Sequence, residues 1–430
     1  MTIAFVTFGC RLNRAEALDL ESKYAAAGWG IANLPQGASK GSLTSAPDVI
    51  AVRACSVTAK AQRDCEKKIA QLRRRFPNTQ ILLTGCHPDA KPIPPRLAPP
   101  AFADSATPVN RQLSRAYLKV QDGCSGKCAF CIVPAFRGKP ESVQFGNALA
   151  RARAYLDSGF REIVVTGCNL CLYRDAGRRL PDLISALAEL ESPGHRIRLG
   201  SIEPGLCDEA LLDAMESHPN ICRFLHLSLQ SGSNRILRLM RRPYTAEHVA
   251  GFCNDARRRL GETLALGADV ITGFPGETAE DFSETKSFLS APKLPPHTSH
   301  LTTYNSQLTT YNSQLTTYNS QLTTFNFLHV FPYSERAGTE AAAMTPAVPV
   351  EIRRKRAKEL EALGAANREA FARSFIGKEV EVCIEKDGNG YSGEYVHCVL
   401  DGDAPRRSLA KARVVDYFPK TGSLSATIRA

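Results

Sequence analysis

The first ninety residues alternate between short apolar runs and longer amphipathic segments. Runs near 2–8, 49–52 and 80–84 fit strands, and the segments near 14–27 and 57–75 carry helical spacing. That alternation predicts a small parallel α/β unit. Further strands are predicted near 117–121, 162–166, 196–201, 224–229, 264–272 and 327–331, with helical segments such as 145–158, 208–217, 245–260 and 278–290 between most of them. Six β–α units predict an open, partial version of the parallel barrel, with its active site at the C-terminal ends of the strands. A basic helix near 350–372, containing Arg353-Arg354-Lys355-Arg356, follows. Residues 376–430 then turn to short β segments that predict a small antiparallel barrel of the OB-like class.

Two stretches interrupt the pattern. KPIPPRLAPPAFADSATP at 91–108 is rich in proline and fits an extended linker. Residues 298–324 carry a seven-residue repeat, with Tyr304, Tyr311 and Tyr318 in successive copies, that is too polar to bury a core and makes poor helix. It is expected to be an inserted surface loop. The expected organisation is thus an α/β unit over 1–95, a linker over 96–115, a partial barrel over 116–350, a connecting helix over 351–375 and the small barrel over 376–430.

A length of 430 residues suits about three domains of typical size. With 43% hydrophobic and 23% charged residues, a wholly disordered or collagen-like chain is excluded. No run of about eighteen apolar residues occurs, and MTIAFVTFGCRLN enters a strand without a basic leader, so a cytoplasmic protein with no membrane partner is expected. The net charge of +11 is uneven: residues 1–96 hold 14 basic and 7 acidic residues, whereas 376–430 hold 8 of each. A positive field of this kind attracts polyanions, nucleic acid above all.

The fourteen cysteines are grouped in a way that favours metal ligation over disulfides. Cys10, Cys55 and Cys86 each lie just past a predicted strand of the first unit. Loops there share one sheet edge, so the three either meet in space or are buried thiols acting as small hydrophobes. The strongest signal is DGCSGKCAFC, where Cys124, Cys128 and Cys131 form C-x3-C-x2-C after the strand YLKVQ. Three thiolates on a four-iron cluster leave one iron open. This spacing, with Phe130 before the last cysteine, is the signature of enzymes that bind S-adenosylmethionine at that iron and cleave it to a 5′-deoxyadenosyl radical. A zinc knuckle would want a fourth nearby ligand, and none follows; a ferredoxin-like electron carrier is the other alternative.

Taken with these motifs, the whole chain resembles the methylthiotransferase family. The carriers are TFGCRLN at 7–13, ACSVTA around Cys55, TGC ending at Cys86, GCSGKCAFCIVPAFRGKPES with Arg137-Gly138, SIEP at 201–204, HLSLQSGSNRIL at 226–237, MRRPYT at 240–245 and ADVITGFPGET at 268–278. Arg53-Ala54 and His87-Pro88 depart from the usual neighbours of the second and third cysteines. The resemblance implies two [4Fe-4S] clusters: one on Cys124, Cys128 and Cys131 for radical formation, the other on Cys10, Cys55 and Cys86 to carry the sulfur. It implies S-adenosylmethionine as radical source and methyl donor, an external electron donor and a tRNA anticodon loop as partner; nothing bears on oligomeric state. HVFPYSERAGTEAAAM at 329–344 and Cys10-Arg11-Leu12-Asn13 look most like the branch that methylthiolates C2 of N6-threonylcarbamoyladenosine beside the anticodon. The branches acting on isopentenyladenosine tRNA or on a ribosomal-protein aspartate are the alternatives, and a structural iron–sulfur RNA-binding protein is the non-enzymatic one. Gln230 and Ser231 end a barrel strand and either contact S-adenosylmethionine or form a simple turn, and Glu203 matches a family site residue by position. The last domain resembles the TRAM domain, with Arg406-Arg407 and Lys411 with Arg413 as its expected RNA patches. Cys168 and Cys171 are expected to be packing thiols, and Asp122 a loop cap.

Overall fold

The computed structural model describes residues 1–34, 46–98, 113–192, 194–290, 325–385 and 387–429. The repeat at 298–324 and most of the proline-rich linker lie outside them. The first unit runs β1 (Thr2–Thr7), α1 (Arg11–Ala26), β2 (Gly30–Ala32), β3 (Val49–Cys55), α2 (Ala59–Arg75) and β4 (Gln80–Cys86). Its strands form a parallel sheet in the order β2-β1-β3-β4. β3 is buried at every residue but Arg53, as a strand covered on both faces must be, and this is why VIAVRAC is apolar at every position but that one. Thr58 starts α2 by accepting a hydrogen bond from Ala61 N at 3.1 Å.

The central unit opens with β5 (Ala116–Lys119), β6 (Gln121–Asp122), α3 (Val133–Arg137), β7 (Glu141–Ser142), α4 (Phe145–Asp157) and β8 (Glu162–Thr166). It continues through β9 (Arg174–Asp175), β10 (Arg178–Arg179), α5 (Leu180–Ala188), β11 (Arg196–Leu199), β12 (Ser201–Ile202), α6 (Glu209–Ser217) and β13 (Phe224–Gln230). It ends with α7 (Asn234–Leu239), α8 (Ala246–Leu260), β14 (Ala265–Thr272), α9 (Ala279–Leu289) and β15 (Phe327–Pro332). Two parallel sheets, β11-β8-β5 and β12-β13-β14-β15, continue one another across Gly200 and give the expected open six-strand arrangement. Gly200 N donates to Val165 O at 2.8 Å, and a Cβ at Gly200 would come within 3.0 Å of that oxygen, so the junction needs glycine.

Alternate residues of each strand face opposite ways. Leu225, Leu227 and Leu229 join the core between strands and helices, leaving Phe224, His226 and Ser228 on the concave face. Two other parts of the chain fill that face. Ala15 and Leu18 of α1 pack on Tyr117 and Val164. From the C-terminal unit, Tyr395 stacks on Phe224 with ring centres 4.8 Å apart, and its hydroxyl accepts from Arg11 Nη2 at 3.0 Å.

The basic helix is α10 (Val350–Arg373), which lies along β15 and leads into β16 (Glu379–Ile384), β17 (Gly390–Ser392), β18 (His397–Asp401), β19 (Leu409–Phe418) and β20 (Ser423–Ile428). These strands close a barrel in the order β16-β17-β18-β20-β19. The expected antiparallel barrel is corrected at one seam: β18 and β20 pair in parallel. A closed ring of five strands cannot alternate direction throughout, so one pairing must be parallel.

One of the two expected RNA patches also changes. Arg407 is turned inward: its guanidinium lies 4.0 Å from the centre of the Phe160 ring and donates to Leu113 O at 2.9 Å and Ser158 O at 3.2 Å. Arg406 Nε donates to Ser114 Oγ at 3.1 Å. Both therefore dock the small barrel on the central unit, while Lys411 and Arg413 remain exposed. In α10, Arg353 is buried and donates to Val348 O and Tyr333 O, so this part of the basic run is also structural.

Candidate active site

The C-terminal strand ends of the first two units face each other. Cys55 and Cys86 are the last residues of β3 and β4 and are register partners. Cys10 follows β1 and caps α1. Gly9 has φ +88°, and a Cβ there would sit 2.6 Å from Cys55 Sγ, so only glycine lets the turn carrying Cys10 close over Cys55. Cys55 and Cys86 are buried and Cys10 is exposed. Burial pushes the Cys55 thiol up, and the nearby Cys10 and Cys86 push it the same way. Arg53 Nε, Ser56 Oγ and His87 Nε2, all sequence neighbours of this triad, are buried without a hydrogen-bond partner.

Cys124, Cys128 and Cys131 lie in the loop between β6 and α3. A Cβ at Gly126 would be 3.2 Å from Cys124 Sγ and 3.7 Å from Cys128 Sγ, so both sulfurs converge on this glycine. Gly126 N donates to Cys124 Sγ at 3.3 Å and Arg242 Nη1 to Cys128 Sγ at 2.9 Å. Burial raises the Cys128 thiol and pushes Cys131 up to about 11. Ligation by iron requires thiolate and overcomes such a penalty through the ion's own charge.

The donor set fits iron–sulfur clusters at both places. Each offers three cysteine sulfurs, with N–H donors or a guanidinium directed at sulfur. Neither triad brings its sulfurs within the 4.8 Å that ligands of a single ion would need. A four-iron cluster, which takes each thiolate on a different iron, does not ask for that.

Arg137, the last residue of α3, joins the first triad to the central unit. Its Nε donates to Cys86 Sγ at 3.0 Å, its Nη1 to Glu16 at 2.9 Å and Asp122 at 3.0 Å, and its Nη2 to Asn13 Oδ1 at 2.8 Å. Asn13 is fixed in turn by donating to Phe8 O and Ala54 O, each at 2.8 Å. Glu16 also meets Arg53 and Lys119. Burial opposes the charge of Asp122, yet Lys119, Arg137 and Gly123 N–H outweigh it and hold this carboxyl well below the usual range. Burial, then the neighbouring Arg137, lowers Arg53 to about 10.

Arg242 makes the second hub. Besides Cys128 it pairs with Glu203, donates to Ser228 O at 2.9 Å and reaches Tyr244 OH at 2.8 Å. Burial pushes the Glu203 carboxyl up against the opposing pull of Arg242. Glu203 thus stands beside the second triad through Arg242. Gln230 ends β13 with a left-handed φ of 71°. The buried Ser231 hydroxyl is engaged by Thr285 Oγ1 at 3.0 Å and Ser233 N at 3.1 Å, which ties it to α9. Cys171 packs against Cys207 at 3.9 Å, whereas Cys168 donates to Asp122 at 3.3 Å and so belongs to the Arg137 hub. Asp122 does cap its loop by accepting from Gly123 N, but it also carries the ion pairs above. Asn13 and Glu16 stand in and beside the Cys10 motif, but their role in holding Arg137 has no local signal, because their partners lie up to 124 residues away.

A family model described as Radical SAM superfamily matches residues 118–289, and one described as Uncharacterized protein family UPF0004 matches residues 2–94. Over 445 residues the chain is 29% identical to a protein named threonylcarbamoyladenosine tRNA methylthiotransferase MtaB from Aquifex aeolicus, covering 94% of this chain and 97% of that one. A protein of the same name from Rickettsia prowazekii is 29% identical, covering 95% and 94%. The tRNA-2-methylthio-N(6)-dimethylallyladenosine synthase of Thermobifida fusca is 31% identical over 441 residues, covering 93% of this chain and 80% of that protein.

Proposed function

Because this chain belongs to the radical S-adenosylmethionine methylthiotransferase family, we propose that it methylthiolates C2 of N6-threonylcarbamoyladenosine beside the anticodon of tRNA. Membership brings S-adenosylmethionine and a [4Fe-4S] cluster, which Cys124, Cys128 and Cys131 would hold. We assign a second cluster to Cys10, Cys55 and Cys86. When bound, the first cluster with S-adenosylmethionine supplies a radical able to take hydrogen from an unactivated C–H, and the second supplies the sulfur.

The observation that carries this reading is Arg137, one side chain that donates to a sulfur of the first unit and to Asp122 of the central unit. It ties the Cys86 end of the first unit to the central unit beside the second triad, and a reaction shared between the triads requires such a fixed approach. Arg242 does the same locally, holding Cys128 against Glu203 and the end of β13. Lys60, Arg63, Lys67, Arg73, Arg74 and Arg75 of α2 are exposed and offer charge to backbone phosphates. The first turn of α2 touches the mouth of the central unit, where Ala59 N donates to Ser334 Oγ at 3.0 Å. An unstacked anticodon-loop base is the form of adenine that enters such a site.

The choice of nucleoside rests on Cys10-Arg11-Leu12-Asn13 and on the relatives named for threonylcarbamoyladenosine. The 31% relative named for dimethylallyladenosine supports the competing nucleoside. A pocket built for the threonylcarbamoyl carboxylate rejects an isopentenyl group strongly, since its polar groups would be left unpaired. Nucleoside mass spectrometry of tRNA from a strain lacking the gene decides. Loss of the methylthio-threonylcarbamoyl nucleoside alone is expected; loss of the methylthio-isopentenyl nucleoside, or an unchanged profile, overturns the assignment.

A further inference from the structure

Below the mouth, on the concave face of the central unit, three adjacent parallel strands bring together His226 of β13, Asp269 of β14 and His329 of β15. Their core-facing neighbours, Leu225 and Leu227, Ala268 and Val270, and Leu328 and Val330, all pack on the helix side, so the three side chains share the opposite face. They sit three or four residues before their strands end, roughly 10–13 Å below those strand ends at about 3.3 Å per residue. Among the described residues, no other three His, Cys, Asp or Glu side chains bring their donor atoms within 4.8 Å of one another.

We propose that His226, Asp269 and His329 form a binding site for one first-row divalent transition-metal ion, separate from both cysteine triads. His226 Nε2 is 2.9 Å from Asp269 Oδ1, and His329 Nδ1 is 3.4 Å from the same oxygen. Donors bound to a single ion at about 2.0–2.1 Å stand about 2.9 Å apart at a right angle and about 3.4 Å apart at a tetrahedral angle. Both imidazoles therefore already hold a ring nitrogen where ligands of one ion belong. Two imidazoles with one carboxylate suit zinc or ferrous iron and are a poor set for calcium or magnesium, which take oxygen ligands.

A second observation shows that the His226 ring has been given its place. Gly267 is its register partner on β14, and a Cβ there would lie 2.4 Å from His226 Nδ1. The ring thus lies against bare backbone, which only glycine allows. His226 is buried and Asp269 half-buried, whereas the His329 side chain is 58% exposed. The exposed side gives an ion an entry path and leaves coordination positions for water or another ligand.

The test uses the full chain with its clusters reconstituted, washed with chelator and dialysed against zinc as the probe. Zinc per chain is then compared among wild type, His329→Ala, Asp269→Asn and, as a control on an exposed helix position, His248→Ala. Wild type and the control should each retain one more zinc per chain than the other two. The difference should show nitrogen and oxygen neighbours by X-ray absorption at the zinc edge, which separates it from zinc on stray thiols. Because His329 is largely exposed, its alanine variant should keep the wild-type melting curve in the metal-free state. Equal zinc in all four proteins, or a difference bound by sulfur, would show the triad to be a hydrogen-bonded relay and overturn the site.

Discussion

Two clusters of arginine and carboxylate lie at opposite ends of the central strands, and each joins two parts of the chain. At the lower end Glu162 is met by Arg196 and Arg198, whose remaining N–H groups donate to Glu381 O, Tyr391 O, Ser392 O and Gly393 O of the C-terminal barrel at 2.7–3.1 Å. At the upper end Glu16 and Asp122 are met by Arg53, Lys119 and Arg137. Glu162, Arg196 and Arg198 of the lower cluster are 0–3% exposed and Arg115 13%, while Glu16 is 12% and Asp122 27% exposed. In the lower cluster the donors end on carbonyls and on one carboxylate; in the upper one Arg137 ends on a sulfur. The same chemistry serves as a joint in one place and as part of a site in the other. What separates them is the end of the strand: at the C-terminal edge, loops carry cysteines into the charges, and at the N-terminal edge another barrel closes over them.

The sharpest contrast should come from removing ligands. Replacing Cys124, Cys128 and Cys131 by Ala should abolish 5′-deoxyadenosine formation and halve the iron, from about eight to about four per chain for two four-iron clusters, without moving the denaturation midpoint of the lower joint. Iron that stayed near eight would place the cluster elsewhere.

Glu162→Gln breaks the other side. Burial opposes the Glu162 charge, but Arg198, Arg196 and Arg115 outweigh it and hold the carboxyl well below the usual range. Gln leaves buried guanidinium groups without a counter-charge, a loss of about 3–5 kcal/mol in denaturant unfolding. A folded-state value below the unfolded one stabilises above the unfolded value of about 4.3 and fades as pH falls under it. Wild type should therefore lose stability below that point faster than the Gln variant. Parallel acid slopes would mean that Glu162 is not the group responsible.

Arg137→Met should have a smaller effect, on activity rather than stability. It removes the donor to Cys86 and loosens the link between the first triad and the central unit, so methylthio product should fall about 10–100-fold, the range found for residues that support metal ligands. Formation of 5′-deoxyadenosine should continue without coupling to product. Equal loss of both would make Arg137 part of the radical site alone.

The sequence exposes these two clusters unequally. Strands such as VIAVRAC and FLHLSLQ are legible because the first is apolar at all but Arg53 and the second places Leu at every other position, and the cysteine loops because ligand spacing is local. Five-residue α3 and six-residue α7 are too short to show a period, although α3 ends in Arg137. Glu162, Arg196 and Arg198 look like solvent-facing charges on strand ends until β16 and β17 are seen to cover them. Arg406 and Arg407 mislead for the same reason: an interface arginine and an RNA-facing one have the same letter. Register across 51 residues, which brings Arg137 to Cys86, has no local signature at all.

The central claim is that the two cysteine triads do different parts of one reaction. Replacing Cys10, Cys55 and Cys86 by Ala, then measuring 5′-deoxyadenosine and methylthio nucleoside from the same tRNA reaction, tests it most directly. The account predicts that 5′-deoxyadenosine is still formed while the methylthio nucleoside disappears. Catalytic formation of the methylthio nucleoside by this variant would contradict it.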